Sequence, residues 1–339
     1  MIHRFCRPFT EVSSTSENAG AKNVECEFCA ALQRARELEV FDPLPQLCSP
    51  LTPGVQLANL SYDGQTLRAE LGIQWKRMFE QLPLIGEALV MTRNQAAILG
   101  RTMTFPELAF TAHGYKGASE RGGLWFDFRT LGGACAVHLR SPSGHIFGVD
   151  FADEAGRLVH RFTATPWSNL DAFFGWVRLH QACSEHGRAR PASNADDRAA
   201  GGHGTDQPGG PSALLSIMAA CCEHRLRLRA TVRTGAVIQC AQFIPQQLRS
   251  IGDWWFAYDD TVGLHFCPLE ISPTKSATHL EEDGSRLVLY CQTDSQRPSL
   301  VLESDDERQA ATWCVTFSKA WFDEGLRSRI SHVFSLEDS

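Results

Sequence analysis

Cys26 and Cys29 stand in Cys26-Glu27-Phe28-Cys29, a spacing at which two thiolates can chelate one metal ion or cycle as a dithiol. A structural zinc wants four ligands, and the flanking Cys6 and Cys48 lie at distances that match no standard zinc spacing. His138, His160 and His265 fall in alternating, strand-like stretches, where an imidazole is ordinarily a hydrogen-bonded or surface group. Arg93 and Arg233 sit beside turns, and a solvated or strand-pairing role is the default for both. The carboxylates within 150–154 and 303–307 read as solvated turns rather than catalytic pairs. G-x-S-x-G, the P-loop, G-x-G-x-x-G and H-E-x-x-H are all absent, which removes the commonest signatures of nucleophilic, phosphoryl-transfer, dinucleotide and zinc-protease chemistry.

The chain that must position such groups has 339 residues and is 43% hydrophobic, enough for two domains each with a core. A formal charge of −7 argues against nucleic acid as a general partner, because phosphate binding needs a positive field. The longest apolar run, 213–222, is about half of the roughly 20 residues that a membrane helix needs. Residues 1–17 carry no signal-peptide core, so the expected location is the cytoplasm and the 12 cysteines are expected as thiols. Ala134-Cys135-Ala136 and Ala220-Cys221-Cys222 read as small buried hydrophobes.

Residues 1–50 form an ancillary segment with one helical candidate at 26–40. Residues 186–211 are dominated by Gly, Pro, Ser and Asp, too polar to offset their ordering entropy, and read as a linker. On either side lie two copies of one unit, 51–185 and 212–326, followed by a tail at 327–339. Leu89-Val90-Met91-Thr92-Arg93-Asn94 matches Arg229-Ala230-Thr231-Val232-Arg233-Thr234, each a strand, a polar turn and a second apolar strand. Leu124-Trp125-Phe126 is set against Trp254-Trp255-Phe256, and Gly144 against Gly284, so the offset between copies is expected to drift from 140 to 130 and back. Helices are expected at 169–179, 213–223 and 307–321. The fold class that follows is α+β: two tandem repeats, each a large antiparallel sheet flanked by helices, facing each other across a cleft that can take a ligand.

The stretch Leu84-Ile85-Gly86-Glu87-Ala88-Leu89-Val90-Met91-Thr92-Arg93-Asn94 resembles the "L-G-E-V-…-T-R-N" segment of the haemin-utilisation, or haemin-degrading, family of HemS/ChuS type. That family carries two tandem HemS/ChuX-like repeats. Leu124-Trp125-Phe126-Asp127-Phe128-Arg129 is similar to its "I-D-L-R-L-F", and Gly156-Arg157-Leu158-Val159-His160-Arg161-Phe162 to its "G-x-A-V-H-K-I-Y". In the second half, 235–239 resembles "G-C-V-Q-I" and Leu264-His265-Phe266 a "T-L-H-L" strand. No single motif is diagnostic; the signal is their order across both halves, from about Leu57 to Phe322.

The resemblance implies haem, as ligand or substrate, bound between the repeats and either carried, in iron acquisition, or opened by an oxygenase-like reaction with a reductant and oxygen. Its expected partners are haem and a haem oxygenase or haem importer, with no nucleic acid and no membrane insertion. The family's distal arginine corresponds to Arg129, whose fixed charge and several donors suit an iron-bound oxygen species or a propionate. The alternative for Arg129 is an ion pair with Asp127 or another surface carboxylate. The family's iron-ligating histidine, in "D-V-H-x-F-F", has no counterpart, since Asp171 occupies its place in Asn169-Leu170-Asp171-Ala172-Phe173-Phe174. His180 and His186 are the substitute ligand candidates, with His203 in the linker a third. Loss of that histidine supports a competing reading, a non-catalytic module that takes another apolar ligand or a protein partner.

Overall fold

A computed structural model describes residues 67–105, 109–119, 121–141, 144–181, 210–251, 253–268, 271–280, 287–292 and 298–304. Cys26, Cys29, the segment 1–50, most of the 186–211 linker, the expected helix at 307–321 and the tail lie outside the described residues. In chain order the first half runs β1 (Leu67–Leu71), α1 (Trp75–Glu80), a 3-10 turn (Leu82–Ile85), β2 (Gly86–Arg93), β3 (Ala97–Thr104), β4 (Ala109–Thr111), β5 (Gly114–Ser119), β6 (Gly122–Asp127), β7 (Leu131–Ser141), β8 (Gly144–Asp153), β9 (Leu158–Ser168) and α2 (Leu170–His180). The second runs α3 (Gly210–Glu223), β10 (Leu228–Arg233), β11 (Val237–Phe243), β12 (Gln247–Ile251), β13 (Trp254–Tyr258), β14 (Val262–Phe266), β15 (Ser272–Leu280), β16 (Leu287–Gln292) and β17 (Pro298–Ser304).

All strand pairs are antiparallel, and the expected α+β architecture is found, with the strands exchanged between copies. Sheet A has the order β1-β7-β8-β9-β2-β3-β14-β13-β12, and sheet B the order β15-β16-β17-β10-β11-β6-β5-β4. The meander β4-β5-β6 of the first copy therefore extends the second copy's sheet, while β12-β13-β14 extends the first copy's. Register gives the correspondence between copies. Phe126 lies opposite Val237 and Phe266 opposite Ala97, while Phe162 lies opposite Val90 and Leu302 opposite Ala230. Each equivalent pair is separated by 140 residues, so the offset is constant and the expected drift is corrected. The equivalent of Trp125 is His265, not Trp255, whose own counterpart is Tyr115. Neighbouring strands of a meander carry the same aromatic alternation, and only hydrogen-bond register distinguishes them.

The same turn chemistry builds the central hairpin of each copy. Asn94 Oδ1 accepts from the amides of Ala96 and Ala97, closing β2 onto β3. Thr234 Oγ1 does the same for Ala236 and Val237, closing β10 onto β11. Both are side chain to backbone turns that Asn and Thr favour. Asn94 Nδ2 also donates to the carbonyl of Arg233 at 2.9 Å, joining one turn to the other. The two hairpins lie against each other and bring the inner faces of the sheets together.

Two cores flank this junction. In the first, α1 and α2 cover the inner face of β2, β8 and β9. Asn169 caps α2 by accepting from Ala172 N, Trp176 Nε1 donates to Met78 O at 2.8 Å, and Phe173, Phe174 and Val177 point inward. Phe79 of α1 contacts both sheets, with ring centroids 4.7 Å from Phe126 and 5.7 Å from Phe151. In the second, Leu214, Ile217, Met218 and Cys221 of α3 pack on strands of both copies, including Leu99 and Leu264 from sheet A. Cys135, Cys221, Cys222, Cys240 and Cys267 are thiols. Asp150 is not in a solvated turn as expected: it lies on β8 and forms a bidentate ion pair with Arg161 of β9, which is buried. Asp153 does serve a turn, accepting from the amides of Ala155 and Arg157. Among the described residues no helix is long and apolar enough to cross a membrane.

Because each sheet takes strands from both copies, neither copy can pair its own meander alone. Fragments 1–200 and 201–339 made separately should show no cooperative thermal transition by circular dichroism, and mixing them should restore one. A cooperative melt from either fragment by itself would contradict the exchanged topology.

Candidate functional site

β6 belongs to the first copy but is hydrogen-bonded to β11 of the second, so its end lies on the seam between them. Asp127 N donates to Ala236 O at 2.9 Å and Phe128 N to His113 O at 2.9 Å, which fixes the turn after β6 between two other turns. Thr130 Oγ1 lies 3.1 Å from the carbonyls of both Asp127 and Gly235. Within this turn Asp127 holds Arg129 by a two-pronged contact, Nε to Oδ1 at 2.9 Å and Nη2 to Oδ2 at 2.7 Å, and Oδ1 also accepts from the Arg129 amide. Hydrogen bonds from Arg129 hold the Asp127 carboxyl below the usual carboxylate range. The Arg129 side chain is 64% exposed and charge-paired, so an incoming carboxylate would compete with Asp127 for it. His113 stands exposed on the β4–β5 turn beside them, an imidazole that the sequence did not single out.

Next to this turn the outer face of sheet B carries a row set by register: Lys116 on β5, Trp125 on β6, Ile238 on β11 and Arg233 on β10. Their strand neighbours Tyr115, Phe126, Val237 and Val232 point into the cores and are buried. Lys116 and Arg233 are exposed, whereas Trp125 and Ile238 are half-buried. The indole of Trp125 lies across Gly123: a Cβ at Gly123 would stand 2.4 Å from its Cη2. The missing side chain is what lets the ring fold onto the sheet. The Lys116 ammonium is 5.9 Å from the ring centroid, at the outer limit of a cation–π contact.

Of the histidine candidates, His180 does not join this turn. His180 ends α2 and is buried, with Nε2 2.9 Å from Gln81 Oε1 and the Trp176 ring at 5.3 Å. Burial, with the charge of Arg77, lowers its pKa and so disfavours the imidazolium. Among the described residues Arg129 and His180 share no hydrogen-bond partner. His186 and His203 lie outside the described residues.

Behind β6 the sheets enclose a polar chain that was not legible as a unit. Gln239 of β11 donates from Nε2 to Val90 O at 3.4 Å, which turns its Oε1 toward Thr92. The Thr92 hydroxyl donates to that oxygen at 2.7 Å, so the His160 Nδ1, 2.7 Å from the same hydroxyl, must be the protonated nitrogen. That leaves the His160 Nε2 lone pair buried and, among the described residues, without a hydrogen-bond partner, beside the Phe126 ring at 4.9 Å. Desolvation pushes the His160 pKa down to about 3. Burial likewise drives the Tyr115 phenol up to about 12. The equivalents of Thr92, His160 and Gln239 in the other copy are Val232, Leu300 and Leu99, all fully buried and apolar. Only one side of the junction is polar.

No family model and no curated protein matches the chain. Among solved structures, the haem-degrading enzyme ChuS of Escherichia coli O157:H7 superposes with a TM-score of 0.61 at 14% identity, over 74% of this chain and 86% of that one. Holo-PhuS, a haem-binding protein of Pseudomonas aeruginosa, gives 0.58 at 17% identity over 84% of this chain and 97% of that one. A second ChuS structure, described as a haem oxygenase of E. coli, gives 0.60 at 14% identity over 80% and 92%. The protein has the fold of these structures across both copies.

His160 also makes stability depend on pH. Its pKa is near 6.5 in the unfolded chain and about 3 when folded, so the unfolded state binds the extra proton and stability falls as pH drops through that window. The loss is about 1.4 kcal/mol per pH unit, or roughly 2 kcal/mol between pH 6.5 and 5. Urea unfolding of wild type against the triple variant Thr92→Val, His160→Leu, Gln239→Leu should show that this part of the slope disappears in the variant. An unchanged slope would mean that His160 is not buried neutral.

Proposed function

We propose that this protein binds haem for trafficking in iron acquisition, at the seam where β6 of the first copy meets β11 of the second. What carries the reading is the fold shared along most of its length with ChuS and PhuS, which are described as a haem-degrading enzyme and a haem-binding protein. The residues of the seam fit the organic part of the ligand. Lys116, Arg233 and Arg129 supply cations for carboxylates, and Trp125, seated over Gly123, supplies a flat aromatic surface. For the iron the expected groups are not at hand: His180 stands apart from the seam, buried and engaged by Gln81, and Arg129 is already paired with Asp127. Haem when bound would bring an iron that can activate oxygen; this chain's own part is to orient the ring and neutralise its acids. In this reading the recipient or donor of haem is a haem oxygenase or a haem importer.

The engaged state of Arg129 and His180 also favours a second reading, in which the module keeps its fold without iron ligation and does no redox chemistry. Haemin titration separates the two. Saturable binding near one haem per chain with a shifted Soret band is expected, with Arg129→Ala weakening it by about three- to tenfold, as loss of a charge-assisted contact already shared with Asp127 would. Loss of the Soret band on adding ascorbate under oxygen would establish breakdown; its persistence would leave carriage. No saturable spectral change would refute haem binding.

A further inference from the structure

We propose that the outer face of sheet B recognises the ring plane and the carboxylates of its ligand rather than the metal, so that an iron-free dicarboxylate tetrapyrrole binds there about as well as haem. The inference rests on the haem reading and deepens it.

It follows from comparing two rows that the duplication made equivalent. On sheet B the row is Lys116, Trp125, Ile238 and Arg233; on sheet A its equivalent is Phe256, His265, Ile98 and Arg93. The sheet A row is closed: Phe256 is 7%, His265 3% and Ile98 4% exposed, and the rings of Phe256 and His265 contact each other at 4.4 Å. The sheet B row has been opened and recharged. Phe256 corresponds to an exposed lysine, His265 to a half-buried tryptophan, and half-buried Arg93 to an exposed arginine. Four neighbouring strands set the end residues roughly 14 Å apart, three strand spacings, with long side chains able to reach inward over whatever covers the indole.

Each element of the row selects for one property of the ligand. Trp125 already rests over Gly123, where only a missing Cβ leaves room for the ring, so little further ordering is needed when a ligand stacks on it. Lys116 and Arg233 flank it as exposed cations with no counter-charge in the row itself, since Ile238 lies between Trp125 and Arg233. A planar, apolar, doubly anionic molecule answers all three features. Nothing in the row is an iron ligand: it holds an ammonium, an indole, an alkyl chain and a guanidinium, none of which coordinates ferric iron at neutral pH.

The test titrates the full-length protein with haemin, protoporphyrin IX and protoporphyrin IX dimethyl ester, following Soret absorbance or porphyrin fluorescence, for wild type and three variants. Haemin and protoporphyrin IX are expected to bind within about threefold of each other. Trp125→Ala should weaken both by tenfold or more and by the same factor, the scale on which ring stacking contributes elsewhere. The double variant Lys116→Glu, Arg233→Glu should weaken the two diacids strongly and leave the uncharged ester nearly unaffected. The substituted side chains lie on the outer face or, for His113, in the exposed β4–β5 turn, and unchanged melting curves check that the fold is intact. Haemin bound a hundredfold tighter than protoporphyrin IX, with that preference lost in His113→Ala, would overturn the proposal in favour of iron ligation beside the β6 turn. Tight haemin binding indifferent to Trp125→Ala would also overturn it while leaving the haem reading in place, whereas failure of haemin and protoporphyrin IX alike would sink both.

Discussion

The stacking of the β2–β3 hairpin on the β10–β11 hairpin is the contact from which the rest of the molecule is hung. Each hairpin is closed by a polar side chain bound to two backbone amides, and Asn94 ties the first turn to the backbone of the second. Once the hairpins are fixed face to face, β3 and β11 each offer a free edge toward the opposite copy. The meander that follows each hairpin fills the edge across the junction rather than its own. That exchange places β6, with its turn and the Asp127–Arg129 pair, against a turn made by residues about 110 positions further along the chain.

The frame is close to two-fold in register, but its two sides are not alike. The junction itself is unequal: Thr92, His160 and Gln239 form a hydrogen-bonded chain where the other copy packs Val232, Leu300 and Leu99. Such a trio contributes little net stability over apolar residues of similar size, but removing one member leaves the others buried and unpaired. It sits directly behind Phe126, the residue between Trp125 and Asp127. The asymmetric polar chain and the asymmetric outer row thus back and face the same strand, β6, and neither is reproduced at its counterpart, β14.

Much of the frame was legible because it is written in local chemistry. The alternation of β2, β6 and β8, the helix at 170–180 and the two polar turns are each specified by residues within a few positions of one another. Register is not local. Trp125 was set against Trp255 because both precede a phenylalanine in an apolar strand, and only pairing with β11 and β3 shows that Trp125 answers to His265. For the same reason the Arg129–Asp127 pair, two residues apart, was open to the sequence as an alternative, whereas the Thr92–His160–Gln239 chain spans 147 residues and leaves no mark in any window. A glycine beside a tryptophan looks like a turn residue; that Gly123 is the bed on which Trp125 lies is visible only once the side chains are placed.

The charge of the protein bears on the same strand. With a formal net charge of −7 the surface as a whole repels dianions, so an acidic ligand must find a local exception. Asp127 quenches one of the cations available at the seam by pairing with Arg129, and it does so in the turn, at the rim of the face. Lys116 and Arg233 lie on strands, where the backbone on both sides fixes their spacing and no carboxylate shares their row. Side chains on paired strands are held in place more firmly than those on a three-residue turn. Arg129, by contrast, is placed by a local ion pair with a carboxylate two residues away, so its position depends on the turn rather than on the sheet.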